Sequence, residues 1–168
     1  MLTALSTAFL CSASLSLAQP SEEGTHPQKA STTCPKVTIR ATMISLPTAE
    51  ATQFSATQDL TGKPAEALAI LEALVAQRKA IALADPTVTT ESGQAQRLES
   101  GNLKLEVEPL SSPDRAIADI NLKIQNSDQE IPLSVNVPNG GAKFLGSAQS
   151  PNDKTRTDHM FLRVHITF

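Results

Sequence analysis

Tryptophan and tyrosine are absent from this 168-residue chain, and phenylalanine occurs only five times. So little aromatic surface leaves almost no platform on which single-stranded nucleic acid could stack. It also removes the conventional aromatic girdle of a bilayer interface. Basic residues are in slight deficit, giving a formal net charge of -3, so there is no electrostatic case for nucleic acid or anionic lipid as a partner. Long apolar runs are missing too, since no stretch approaches the roughly 20 residues of a membrane helix. Cysteine is reduced to Cys11 and Cys34, too few for a disulfide framework.

What is present begins with an export signal. Met1 to Ala18 sets Leu5, Phe9, Leu10, Leu15 and Leu17 among Ser, Thr and Ala. That is the composition of a secretory signal, although the n-region carries no Lys or Arg. Ser16-Leu17-Ala18 supplies a small-x-small cleavage site, so the mature chain is expected to start at Gln19. Leu10 before Cys11 does not fit a lipobox, and no lipoprotein anchor is expected. Cleavage would leave Cys34 as a single thiol, either solvent-exposed or bridged to another chain. Residues 19–35 are polar, without apolar period, and read as a flexible leader. Residues 36–168 then form one domain.

Within that domain the period is mostly two. Val37, Ile39, Ala41 and Met43 alternate with Thr38, Arg40 and Thr42 up to Pro47, which predicts a half-buried strand. Thr48 to Thr61 fits a short helix or a loop. Gly62-Lys63-Pro64 opens a helix over about 64–79, with Leu68, Leu71, Leu74 and Val75 at helical spacing. Glu66 in the first turn and Arg78 and Lys79 in the last match its dipole. Short strands follow, at Ala80–Ala84, Thr87–Thr90, Ala95–Glu99, Leu103–Glu108, Ala118–Ile124, Ile131–Val137, Ala142–Leu145 and His159–Phe168. Pro86, Gly93, Gly101, Pro109 and Gly146 mark turns or stops between them. Asn139-Gly140 predicts a type I′ hairpin that returns the chain along the preceding strand. The fold class is α+β and β-rich: an antiparallel or mixed sheet of about seven to nine short strands, partly covered by one helix.

Chemistry-bearing residues do not cluster. His159 and His165 lie six residues apart on one strand, roughly 20 Å at ~3.3 Å per residue, too far to share a metal ion. Both fall on the face opposite Met160, Leu162 and Val164, which is expected to be solvated. His26 lies in the leader. Asp114, Asp119 and Asp128 lack the spacing of a calcium loop. Ser92-Gly93 lacks a nucleophile elbow, and Gly140-Gly141 lacks the following helix that a phosphate loop needs. No catalytic, cofactor or metal site is expected. A small hydrolase survives as the weakest reading, requiring a concave site that joins His159 or His165 to a carboxylate.

The order of elements from Val37 to Phe168 resembles the core domain of the secretins, the multimeric outer-membrane channels of bacterial secretion systems. The resemblance rests on an alternating strand, a helix, and then Ala84-Asp85-Pro86 leading to Thr89-Thr90-Glu91-Ser92-Gly93-Gln94-Ala95. Leu105-x-Val107-x-Pro109 follows, and Val135 through Leu145-Gly146-Ser147 stands where the family has Val-x-Leu-Gly-Gly. It implies a reduced form, with only residues 19–35 in place of the N-terminal ring modules and a polar loop, Ala148–Asp158, in place of the lip. The hairpin around Gln125–Glu130 is expected to be too short to cross a membrane. The resemblance further implies export to the periplasm or outer membrane and assembly by edge-strand pairing. Partners would be further copies of the chain or other secretion-system proteins, with membrane contact left open. The rival reading is a free-standing periplasmic or extracellular β-sandwich that binds a protein partner and forms no pore.

Overall fold

The computed structural model describes residues 34–101, 103–126 and 129–167. The expected signal peptide, all of the leader up to residue 33, Cys11, His26, Asp128 and Phe168 lie outside the described residues. Eleven elements run in the order β1 (Lys36–Pro47), α1 (Thr48–Thr57), α2 (Pro64–Ala76), β2 (Ile81–Ala84), β3 (Thr87–Glu91), β4 (Gln96–Ser100), β5 (Leu103–Ser111), β6 (Ile117–Asn126), β7 (Gln129–Pro138), β8 (Ala142–Gln149) and β9 (Arg156–Thr167). The β-rich α+β class is as the sequence predicts.

The strands form two antiparallel sheets. The first has the order β2-β1-β9-β8, with β3 beside β2 on the same edge of β1; the second is the meander β4-β5-β6-β7. Alternation in β1 and β9 explains how the layers stack. Val37, Ile39, Ala41, Leu162, Val164 and Ile166 point to one face and meet Leu98, Leu105, Val107, Ile120, Leu122 and Val137 of the second sheet. The opposite face of β1 and β9 changes character along its length. Ile44, Leu46 and Phe161 are covered by Ala51 and Phe54 of α1 and Ala67, Leu68 and Leu71 of α2, while Thr38 and His165 lie beyond the apolar cover. The chain is therefore layered helices, sheet, sheet, with a core in each gap.

Two helices form where one is expected. Thr48 N–H donates to the Thr155 carbonyl at 2.8 Å, so a neighbouring loop holds the first turn of α1. The second helix is shorter than its apolar pattern predicts. It stops at Ala76 because Arg78 takes φ +60. Arg78 N–H then bonds the Val75 carbonyl and Lys79 N–H the Leu74 carbonyl, the two bonds of a Schellman cap. Arg78 and Lys79 thus lie just past the helix and not in its last turn. Glu72 ties α2 to the sheet, with Arg163 at 3.2 Å and Arg40 at 3.8 Å. Arg40 Nε also donates to Asp85 at 2.6 Å, and Thr42 to Asp85 at 2.9 Å. Partial burial alone would raise the Asp85 carboxyl, but the Arg40 and Thr42 hydrogen bonds outweigh it and hold the group below its ordinary value.

Two expectations about turns are corrected. Ala142–Gln149 does not fold back on Ile131–Val137: β7 pairs with β6, and β8 pairs with β9. The Asn139-Gly140 turn is a corner between sheets. Gly140 alone has positive φ there, so the turn is not type I′, which needs it at both central residues. The corner is fastened to β9 by bonds no turn rule anticipates. Asn139 Oδ1 accepts from Ile166 N–H at 2.8 Å, and Gly140 N–H donates to the Val164 carbonyl at 2.9 Å. The β6–β7 hairpin is also longer than expected, at ten residues per strand paired from Ile117–Pro138 to Asn126–Gln129. The apolar alternation covers only its middle, and backbone pairing continues through the polar ends.

Candidate functional site: the open end of the sandwich

Both crossings between the sheets lie at one end. The first is the Ser92-Gly93 turn from β3 to β4, where Gly93 (φ +83) donates to the Pro109 carbonyl at 2.7 Å. Ser92 Oγ accepts from Ser111 N–H at 2.9 Å. Pro109 suits this place because β4 pairs only as far as Val107, so no ladder asks Pro109 for an N–H. The second crossing is the Asn139 corner. Gly93, Asn139 and Gly140 therefore gather at this pinched end with Pro109, which lies within β5 and does not stop the strand as expected; Gly146 likewise lies within β8. Pro86 stands apart, between β2 and β3, where its carbonyl accepts from Ala41 N–H at 3.0 Å.

At the other end no connection crosses between the sheets among the described residues, and a cleft lies between them. The gap is a cleft of about 650 Å³. Met43 and Met160 of the first sheet, Leu103 and Ile124 of the second, and Leu145 of β8 supply apolar walls. Ile81, Leu83 and Ile131 stand at its mouth with 50%, 41% and 49% exposure, half of the large apolar side chains so exposed among the described residues. Gly101, in the β4–β5 turn, and Gly146 line the same cleft. Gly146 (φ +151) follows a bulge in β8 that places Leu145 toward the inter-sheet core. The polar rim runs from Ser147 to Asp153 and includes Arg156 and Asp158.

Sequence reasoning passed over Asp158, and it misjudged His159. Asp158 is 8% exposed on the inner face of β9, and its Oδ1 is buried without a hydrogen-bond partner. His159, expected in solvent, is fully buried because α1 covers this end of the outer face. Its ring lies 5.8 Å from Phe54 and 6.3 Å from Phe144. Nδ1 pairs with Ser147 Oγ at 2.8 Å, while Nε2 has no partner. The pairing brings a hydroxyl to a base, but no carboxylate bonds the ring, since Asp158 points to the other face of the sheet. His165 is exposed, as expected. The missing signal for His159 was α1, whose ambiguous pattern hid the cover over this position.

Burial lowers the His159 pKa below its ordinary 6.5, with the Asp158 charge working against the shift. The folded protein thus binds this proton less readily than the unfolded chain. Stability is unaffected by this group above about pH 6.5, and falls as the pH drops from there toward the lowered folded value, by at most about 1.4 kcal/mol per pH unit. Urea unfolding from pH 7.5 to 5 should show this slope, and His159→Leu should flatten it. An unchanged slope in the variant would place the titrating group elsewhere.

The free edges at β4, β7 and β8 are poorly suited to strand addition. Pro132 pairs with Lys123 but has no N–H, so it and every second residue along β7 turn their backbone outward. Pro132 and Pro138 fall in that outward set, leaving Ser134 and Asn136 as the outward donors between them. The bulge in β8 and the five-residue length of β4 blunt two more edges. The outer face of the β6–β7 hairpin carries Asp119, Asn121, Lys123, Ser134 and Asn136, all exposed. Ten residues is within the roughly 9–11 of a membrane strand, but this face is not a lipid face. No helix among the described residues is long and apolar enough to cross a membrane, and no group of three His, Cys, Asp or Glu among them could hold a metal ion.

No family model matches the chain, and no curated protein is detectably similar to it. Among solved structures there is a match to a chain of the Klebsiella pneumoniae type II secretion system outer membrane complex, which contains PulD, PulS and the PulC HR domain. The match has 11% identity and a TM-score of 0.40, and covers 80% of this chain. The chain spans 40% of that neighbour's length. A likeness that loose carries no weight for fold or function.

Proposed function

We propose that this chain is an exported, secretin-like assembly domain that serves protein secretion at the bacterial outer membrane and works by binding, without catalysing a reaction. The observation that carries the reading is the Gly93–Pro109 bond. It joins the Ser92-Gly93 turn, which follows Thr89-Thr90 of β3, to the Leu105-x-Val107-x-Pro109 strand, two separate pieces of the secretin-like motif order, at the point where the chain changes sheets. A motif order that marks a real junction in the fold supports the resemblance better than a string of generic strands. The blunted edges shift the expected contact away from edge pairing. The apolar mouth formed by Ile81, Leu83 and Ile131 is the better surface for a neighbouring copy or another secretion protein.

The polar outer face of β6–β7 favours a second reading, a free-standing sandwich that binds a protein partner without forming a pore. Sedimentation of the mature chain, with and without detergent, separates the two. The assembly reading expects a large, heat-resistant species. A monomer at micromolar concentration in both conditions would overturn it and leave the free-standing module.

A further inference from the structure

We propose that the open end of the sandwich is a binding site for a small amphiphile with an apolar body and a primary ammonium head, the head held by Asp158. The cleft's volume, about 650 Å³, falls within the roughly 300–1,000 Å³ of ligand sites. Its walls suit an unbranched apolar chain, because Met43 and Met160 can repack around irregular shapes where the more rigid Leu103 and Ile124 cannot.

Asp158 is the independent observation. A carboxylate oxygen withdrawn from water and given no donor is costly to keep. No described residue hydrogen-bonds Asp158 Oδ1. Arg156, two residues away on the same strand, is committed to Ser45, with 3.0 Å to Oγ and 2.8 Å to the carbonyl. Asp158 lines the cleft on the same face as Met160, so a ligand whose chain lies against the methionines brings its head to the carboxylate. An ammonium offers up to three donors and a compensating charge, which makes it the strongest match to an ionised acceptor. A carboxylate or phosphate head would instead add a second negative charge beside Asp158. The site stands on the cleft and Asp158 alone, and does not depend on the secretion reading.

Calorimetric titration of the full chain with decylammonium and with decanoate, below their micelle concentrations, tests the proposal. One decylammonium per chain is expected, bound at least about tenfold more tightly than decanoate. Asp158→Asn should abolish that preference while the circular dichroism spectrum is unchanged. The double variant Leu83→Ser/Ile131→Ser changes only half-exposed side chains at the mouth, and should weaken decylammonium about tenfold. Equal affinity for the two amphiphiles, absence of saturable binding, or an undiminished preference in Asp158→Asn would each overturn the site. Should Asp158→Asn fail to fold, the mouth variant decides: undiminished decylammonium binding would show that the cleft is not where it binds.

Discussion

Phe161→Ala is expected to destabilise the protein by about 3–5 kcal/mol, the range for removing a fully buried aromatic side chain. Phe161 is completely enclosed, and its ring centroid lies 5.1 Å from that of Phe144. It sits where α1 and α2 close over β1 and β9, among Ile44, Leu46, Phe54, Leu68 and Leu71. Both helices are short, ten and thirteen residues. Isolated helices of that length are marginal in water, so they depend on this packing. The variant should show a lower urea midpoint and an early loss of helical signal at 222 nm. A loss below about 1 kcal/mol would mean that the apolar layer is not what holds the helices to the sheet.

Leu105→Ala should cost about 2–5 kcal/mol through the other core. Leu105 lies in an inner strand of the second sheet, opposite Leu98 on one side and Ile124 on the other, and is 1% exposed. The two cores share β1 and β9, whose opposite faces each contribute to one of them. Unfolding is therefore expected to remain a single transition in both variants, with coincident fluorescence-free probes such as far-ultraviolet dichroism and hydrogen exchange. A separate early transition in Leu105→Ala would show that the second sheet comes away while the first survives.

The contrast between the two cores shows where the sequence was legible. Inter-sheet packing follows from strict alternation, and Val37, Ile39, Leu105, Leu122 and Val164 are all inward as the period of two requires. Alternation assigns a face, but it does not say what covers that face. His159 and His165 share the outer face of β9 and differ entirely in burial, because α1 reaches one and not the other. Turn chemistry had the same limit. Gly93 and Asn139-Gly140 lie in turns, yet a turn residue does not reveal whether the next strand pairs with the last one or leaves for another sheet.

The candidate site was the least visible of all. Its parts come from β1, β2, β5, β6, β7, β8 and β9, spread between Met43 and Met160. No local spacing relates them. By itself the sequence determined the β-rich class, the inter-sheet face of the long strands β1, β5, β6, β7 and β9, and the helix α2. Those properties depend on side-chain size and backbone preference over a few neighbouring residues. Only the tertiary structure decided that both crossings fasten one end of the sandwich, that a cleft lies at the other, and that Asp158 Oδ1 is buried there without a hydrogen-bond partner. Each of those depends on which distant strands become neighbours, and pairing across such distances is fixed by the whole fold.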